Sequence, residues 1–306
     1  MYRYRCIGCH EVGREGENLP ALILHGGAGG IRQRTERDKI AASLQRIACS
    51  QWKQLESGMP AIDVAVETVR LLEADPLFNA GLGSKLQEDG GARLSAALMD
   101  GHRERFSGVV NVQGIMHPIQ LCAHLLEDRD RVLCGEGALT RAQELGLKEG
   151  DVRTEASIER WKNAVDGSTG TVGAVVLDAQ GRIAAATSTG GRGMERVGRV
   201  SDSCTVAGNY ASTFAGVSCT GIGEDIVDGA LATRVVHGVE HGLSVSEVCQ
   251  NLQAKMMLSG WSAGLIALDK NGEWAAIKTT DIMYWHAIDK TGEHRFKDPD
   301  EACADS

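Results

Sequence analysis

One hairpin near the middle of the chain constrains the fold most strongly. Residues 171–177 are small or β-branched and predict a buried strand, and residues 183–187 predict a returning strand. Residues 178–181 supply the turn between them. The first strand begins at Thr171, and the second runs into Thr189 and a glycine pair. Hydroxyl groups therefore gather at one end of a buried hairpin.

A hydroxyl at the start of a strand after a cleavable linker suggests a particular chemistry. Threonine is a weak nucleophile and needs an adjacent base. Its own α-amino group serves once the preceding peptide bond is cut, because an α-amine titrates near about 7.7 to 8.0. Gly170 tolerates the strained backbone with which the Thr171 hydroxyl would attack the preceding carbonyl. Thr220, Gly221 and Gly223 lead into a predicted helix and offer oxyanion donors. Physical reasoning alone does not distinguish Thr171 from the other threonines of the chain.

The rest of the chain predicts one layered α+β domain. Residues 21–24 predict a strand that enters a glycine-rich turn, which brings two backbone segments close together. Helices are predicted over 40–55, over 62–72 with Pro60 in the first turn, and from Pro118. Strands are predicted over 94–99 and 106–115. The polar segment of about residues 145–170 is the predicted linker.

The C-terminal half carries clear helix and turn signals. Glu224 and Asp225 predict the first turn of a helix that continues to residue 236. Ser244 and Glu247 form a capping-box pattern before the next helix. Asn271 followed by glycine predicts the turn of a hairpin over 264–279.

Composition excludes several functional classes. The chain has 306 residues with 32 Lys and Arg against 41 Asp and Glu, a net charge of −9, which argues against nucleic acid and anionic membranes as partners. Nine mostly scattered cysteines indicate reduced thiols, and the absence of a signal peptide or an apolar span favours a cytoplasmic location. No zinc-hydrolase motif or serine elbow occurs.

Residues 1–19 are a polar extension outside the predicted core. It contains Cys6, Cys9 and His10 in the spacing used for covalent haem attachment. The sequence indicates no distal ligand and no haem pocket. The favoured interpretation of this segment is therefore a tail, or a pair of thiols that bind a metal loosely. A haem-bearing redox protein stays open as an alternative.

Four segments, in order, carry a resemblance to a known family. They are LILHGGAGG, DPLFNAGLGS followed by ALMDG, GTVGAVVLDAQGRIAAATSTGGRGMERVGRVSDS, and GVSCTGIGED. GLIALDKNGEWAA and TTDIM match more loosely. Together, over about residues 20–285, they resemble the plant-type L-asparaginase and isoaspartyl peptidase family of N-terminal nucleophile hydrolases.

The resemblance implies a four-layer αββα sandwich made as a self-cleaving precursor. The cut would fall between Gly170 and Thr171 and leave an α chain (1–170, its core 20–170) and a β chain (171–306). These would stay folded together and pair as (αβ)2. No catalytic cofactor is implied. A structural sodium ion on main-chain carbonyls is implied, at Leu72, Glu73, Asp75, Phe78, Ala80 and Leu82.

The resemblance also implies roles for individual residues. Thr171 would be the nucleophile and Thr189 the neighbour that tunes its hydroxyl. Arg199 would bind the substrate α-carboxylate and Asp202 the α-ammonium group. A further set would complete the site: Thr220 and Gly221 as oxyanion donors, Gly223 in the substrate pocket, and Asn79 reaching the cleavage point.

Three positions depart from the family pattern. Ser95 replaces a frequent aspartate, which changes the local hydrogen bonding expected in the segment that leads to ALMDG. Ser201 replaces a glycine and Cys204 a proline, which affects the expected pose of Asp202.

The predicted activity is hydrolysis of L-asparagine, of β-aspartyl dipeptides, or of both, through a threonine acyl-enzyme. The alternatives are a glycosylasparaginase-like or taspase-like member, or an uncleaved relative that only binds amino acids.

Overall fold

The structure is a computed structural model that describes residues 20–163, 170–296 and 298. The Cys6, Cys9 and His10 pattern and residues 164–169 of the predicted linker lie outside the described residues. Within these ranges no helix is long and apolar enough to cross a membrane.

Helices and strands alternate in blocks along the chain. The helices are α1 (Arg34–Glu56), α2 (Ala61–Glu73), α3 (Pro118–Leu125), α4 (Gly135–Glu144), α5 (Glu155–Lys162), α6 (Gly223–Gly229), α7 (Leu231–Glu240) and α8 (Val245–Ser259). The strands are β1 (Ala21–Gly29), β2 (Leu94–Asp100), β3 (Arg105–Val112), β4 (Val132–Cys134), β5 (Val172–Leu177), β6 (Ile183–Thr189), β7 (Asn209–Ala211), β8 (Ala215–Gly221), β9 (Ala263–Asp269), β10 (Trp274–Lys278), β11 (Ile282–Asp289) and β12 (Gly292–Arg295).

The strands form two sheets. The larger has the order β12-β11-β1-β5-β6-β2-β3-β4, and the smaller has the order β10-β9-β8-β7. In the larger sheet β1 pairs antiparallel with both β11 and β5. A strand from the N-terminal half is thus held between two strands of the C-terminal half. A cut before β5 would leave the two pieces joined by these ladders.

Three apolar clusters define four layers. Side chains of α1, α2 and α3 pack on the outer face of the larger sheet, for example Leu44, Val69 and Leu121. Helices α7 and α8 cover the smaller sheet. Val175 of β5 and Ile266 of β9 belong to a third cluster between the sheets. The predicted four-layer αββα sandwich is confirmed.

Local signals predicted most element types correctly, and the clearest differences concern β1, β6, α5 and the region of α6 and α7. Strand β1 continues through the glycines that we expected to form a turn, and β6 reaches Thr189, two residues beyond the prediction. A helix, α5, with a capping box from Thr154 occupies part of the segment interpreted as linker. The single helix expected after Glu224 is wrong, because Ala230 adopts φ +46° and separates α6 from α7.

Candidate active site

The central hairpin brings two threonines together at one end. Thr171 immediately precedes β5, and Thr189 is the last residue of β6. Val172 pairs with Ser188 in the antiparallel ladder, so the next step places Thr171 opposite Thr189. The Thr171 hydroxyl donates a hydrogen bond to Thr189 Oγ1 at 3.2 Å. Both side chains are buried, with 6% and 1% of their surface exposed.

The carbonyl group of Gly170 receives two side-chain donors. Asn79 Nδ2 donates to the Gly170 oxygen at 2.6 Å, and Thr189 Oγ1 donates to it at 3.4 Å. Asn79 is itself held, because its Oδ1 accepts from the Lys85 amide at 2.8 Å and its Nδ2 also donates to Gly191 at 2.7 Å. The bond before Thr171 therefore lies where negative charge on its oxygen would be stabilised.

Strand β1 leaves space for this bond. Gly27 has φ +111°, and a Cβ there would lie 2.9 Å from the Cα of Gly170 and 3.4 Å from the nitrogen of Thr171. Any side chain would displace Gly170 and Thr171. The glycines near the start of the chain thus permit a close backbone approach, as their sequence pattern predicts.

Thr220 lies near the end of β8, in the smaller sheet. It is fully buried, and its Oγ1 accepts a hydrogen bond from the Ala28 amide at 3.1 Å. Gly221 follows with φ +136°, a conformation that favours glycine, and a Cβ there would lie 2.6 Å from the Cα of Ala263. The Ala28 contact fixes the Thr220 hydroxyl against the glycine segment that lies beside Thr171.

Arg199, Asp202 and Gly223 form a second group. A Cβ on Gly223 would lie 2.6 Å from Arg199 Nη2 and 2.7 Å from Asp202 Oδ1, so both charged groups approach the same glycine. Arg199 Nε and Nη2 donate to the two oxygens of Glu224 at 2.8 and 2.9 Å. A cationic and an anionic group therefore lie close together, as a zwitterionic amino acid requires.

Asp202 is an unusual carboxylate. It begins a short 3-10 helix (Asp202–Cys204), is 4% exposed, and its Oδ2 lacks a hydrogen-bond partner among the described residues. Burial raises the pKa of Asp202 to about 6, against opposing effects of the Ser201 hydroxyl and Arg199. Ser201, one of the departures from the family pattern, donates to Asp202 Oδ1 at 3.2 Å. Oδ1 faces Gly223 and Arg199, whereas Oδ2 is buried and faces Gly208.

The two groups are connected through strands β2 and β3. Asn111 Nδ2 donates to the Arg199 carbonyl at 2.8 Å, and the Asn111 amide donates to Ser95 Oγ at 3.1 Å. Ser95 in turn pairs with Thr189 in the β2–β6 ladder. The departure at Ser95 is therefore part of the structure that supports the site.

No role was predicted for His25, which in the structure pairs with Gly173 in the β1–β5 ladder, two residues after Thr171. His25 Nε2 contacts Ser218 Oγ at 2.9 Å, Ser218 contacts Thr187 Oγ1 at 2.6 Å, and Thr187 donates to Asn209 at 2.9 Å. A Cβ on Gly173 would overlap Ser218 and approach His25 Nε2 at 2.7 Å. Burial lowers the pKa of His25 to about 3, so the ring is neutral. This buried chain joins β1, β8 and β6 under the start of β5.

Residues 72–82, which comprise the end of α2 and the loop after it, are the segment to which the resemblance assigns sodium. The carbonyl groups of Leu72, Glu73 and Asp75 accept hydrogen bonds from amides of the same loop at 3.2, 2.7 and 3.2 Å. Gly81, with φ +50°, packs against the Glu73 carbonyl. Among the described residues no group of three or more His, Cys, Asp or Glu side chains is arranged to hold a metal ion.

The fold and the site together define a class. A four-layer αββα sandwich with a buried threonine at the start of an inner strand, next to a hydrogen-bonded glycine carbonyl, has the organisation of a threonine-type N-terminal nucleophile hydrolase.

Comparison with known proteins is more specific. Residues 18–169 and 162–297 match the family model described as asparaginase. An isoaspartyl peptidase/L-asparaginase from a Synechocystis species is 41% identical over 86% of this chain and 86% of its own length. A protein of the same name from a Nostoc species is 40% identical over 90% of this chain and 94% of its own. A plant-type L-asparaginase from Pyrococcus furiosus is 34% identical over 87% and 95%. The chain belongs to the asparaginase family.

Proposed function

We propose that this protein is a self-cleaving amidohydrolase that hydrolyses L-asparagine to L-aspartate and ammonia, β-aspartyl dipeptides, or both. The observation that carries the proposal is the Thr171–Thr189 hydroxyl pair at 3.2 Å beside the Gly170 carbonyl. The names of its relatives, isoaspartyl peptidase/L-asparaginase and plant-type L-asparaginase, support the substrate class.

Self-cleavage prepares the nucleophile. Thr171 Oγ1 attacks the Gly170 carbonyl carbon while its proton passes towards Thr189 Oγ1, and the Asn79 amide stabilises the oxyanion. Collapse breaks the bond to the Thr171 nitrogen, which takes up the proton relayed through the Thr189 hydroxyl, and leaves an ester. Water then hydrolyses that ester, releasing the Gly170 carboxylate and a free α-amino group on Thr171.

Turnover reuses the same hydroxyl. The Thr171 α-amine, with a pKa near about 7.7 to 8.0, accepts the hydroxyl proton as Oγ1 attacks the substrate amide carbonyl. The Thr220 hydroxyl and the Gly221 amide stabilise the tetrahedral oxyanion. The protonated amine gives its proton to the leaving ammonia or amino acid. Water then attacks the acyl-enzyme and releases L-aspartate.

The pair formed by Arg199 and Asp202 selects the free amino acid end. The Oδ1 oxygen of Asp202, which faces Gly223 beside Arg199, accepts the α-ammonium group, and Arg199 binds the α-carboxylate. Asparagine inside an intact polypeptide lacks both charges and is excluded. This requirement disfavours a taspase-like action on protein substrates.

Intact mass under denaturing conditions tests the nucleophile. The parent should give two fragments split between Gly170 and Thr171, and Thr171→Ala one uncut chain. Thr233→Ala is the matched control, because its hydroxyl bonds to the Val206 carbonyl on the surface of α7 and should not affect cleavage. Cleavage in Thr171→Ala would exclude the mechanism.

A substrate panel tests the activity. The cleaved parent should release ammonia from L-asparagine or an amino acid from a β-aspartyl dipeptide, whereas release of sugar from a glycosylated asparagine would favour the glycosylasparaginase alternative. A parent that remains uncut and inactive would favour the amino-acid-binding alternative.

We also propose that the loop 72–82 binds a sodium ion through its main-chain carbonyls. The support is that a carbonyl oxygen with one hydrogen bond retains a second lone pair, and hard cations prefer oxygen ligands. The melting temperature of the protein in sodium chloride should be higher than in choline chloride at the same ionic strength. Equal melting temperatures would contradict the site.

We propose, finally, that two copies of the cleaved chain associate as (αβ)2 in the cytoplasm, with a small-molecule substrate and neither nucleic acid nor membrane as partner. The net charge of −9 supports the exclusion of nucleic acid. Exposed Met257 and Leu258, at 69% and 91%, provide apolar surface for association. Light scattering after size exclusion should give twice the mass of one chain. A value equal to one chain would contradict the assembly.

A further inference from the structure

Glu224 occupies one edge of the Arg199 guanidinium. Its two carboxylate oxygens accept from Nε at 2.8 Å and from Nη2 at 2.9 Å. A guanidinium has two edges that bind a carboxylate with two parallel hydrogen bonds, one formed by Nε and Nη2 and the other by Nη1 and Nη2. Glu224 takes the first edge. The second has no partner among the described residues.

The surroundings of Arg199 restrict where its second edge can point. Its Nη2 lies against Gly223 beside Asp202 Oδ1, and its main-chain carbonyl is held by Asn111 Nδ2 at 2.8 Å. The Arg199 side chain is only 16% exposed. Because the Arg199 backbone and one edge of its guanidinium are held, the guanidinium cannot rotate about the long axis of the side chain.

We propose that Glu224 is a positioning residue for substrate recognition, which holds Arg199 so that its Nη1 and Nη2 edge receives the substrate α-carboxylate. The inference rests on the role proposed above for Arg199. Recognition of the free α-carboxylate therefore depends on Glu224, a residue that does not itself contact the substrate.

Two effects of Glu224 oppose each other, and their sizes decide between them. Its negative charge repels an incoming carboxylate, but its side chain is 54% exposed, so water and salt screen that repulsion. The two hydrogen bonds to Arg199 are charge-assisted, and they fix the orientation of its guanidinium group. Screening weakens this orienting effect much less than it weakens the repulsion. They also hold the pKa of Glu224 below its usual value, so the residue stays ionised at neutral pH. Alignment therefore outweighs repulsion.

Steady-state kinetics with two substrates test the proposal. The first is L-asparagine, and the second is 3-aminopropanamide, which keeps the amine and the amide but lacks the α-carboxylate. Glu224→Gln should raise KM for L-asparagine about tenfold, the effect of one misaligned charge-assisted hydrogen bond, with kcat within about twofold of the parent. On 3-aminopropanamide the variant and the parent should have equal kcat/KM.

Asp228→Asn is the matched control, because Asp228 is an exposed carboxylate four residues further along α6 and its loss makes the same change in charge. It should leave both substrates unaffected. Complete cleavage into two chains shows that each variant has folded. In Arg199→Ala, the further change Glu224→Gln should cause no additional loss.

The remaining outcomes separate the inference from the proposed function. An unchanged or lower KM in Glu224→Gln, with a raised KM in Arg199→Ala, would overturn the role of Glu224 alone. An equal loss on both substrates would indicate general support of the fold and would also overturn it. An unchanged KM in Arg199→Ala would instead overturn the role proposed for Arg199.

Discussion

Asp202→Asn should weaken substrate binding and stabilise the protein at the same time. The substrate ammonium group loses a charged acceptor, which is worth about 1.5 to 3 kcal/mol and corresponds to a rise in KM of about 10- to 150-fold. The stability effect has the opposite sign. Ionised Asp202 is buried with Oδ2 unpartnered among the described residues, and burial raises its pKa from 3.8 to about 6.

The size of the stability effect follows from proton linkage. A carboxyl group with a raised folded-state pKa binds more protons in the folded than in the unfolded state, so stability falls as pH rises from about 4 to about 6. Above that window the penalty reaches about 3 kcal/mol, since each pKa unit is worth about 1.4 kcal/mol. Neutral asparagine avoids it. For a chain of this length the melting temperature should rise by at most about 5 °C at pH 8.

Paired measurements of thermal melting and of KM check this prediction. The gain in melting temperature at pH 8 should fall to about half at pH 5, where part of the parent Asp202 is already protonated. Asp228→Asn should show neither effect. A lower melting temperature at pH 8 together with an unchanged KM would refute the reasoning, because Asp202 would then support the fold and not the substrate.

Three further substitutions test the groups around Thr171, two of them in self-cleavage and one in turnover. Asn79→Ala removes the 2.6 Å donor to the Gly170 carbonyl and should slow self-cleavage about 10²- to 10³-fold on a gel time course; cleavage at the parent rate would contradict its role. Thr220→Val should lower kcat by a similar factor, because the variant lacks the hydroxyl that stabilises the oxyanion; an unchanged kcat would exclude Thr220 as an oxyanion donor. Gly27→Ala puts a Cβ 2.9 Å from the Gly170 Cα at φ +111° and should both slow cleavage and destabilise the fold by about 1 to 3 kcal/mol; rapid cleavage would show that the segment can move aside.

The sequence by itself determined the local elements whose signals lie within a few residues. The hairpin of β5 and β6, the capping box from Ser244 and the turn at Asn271 were predicted correctly, because periodicity, caps and turn residues act over short distances. Four motifs in order also indicated the family. The break at Ala230 was missed because no local signal marks an alanine at φ +46°, a conformation that only the surrounding structure can impose.

Only the tertiary structure decided which side chains meet. Asn79 and Gly170 are 91 residues apart in the chain and share a 2.6 Å hydrogen bond, and His25 reaches Ser218 across 193 residues. Glu224 was assigned to a helix first turn from the sequence, and its contact with Arg199 gives it a second role. Such pairings depend on the order of strands in the two sheets and on the packing of one sheet on the other. No periodicity within a segment encodes that order, because it is fixed by burial of apolar faces that belong to distant parts of the chain.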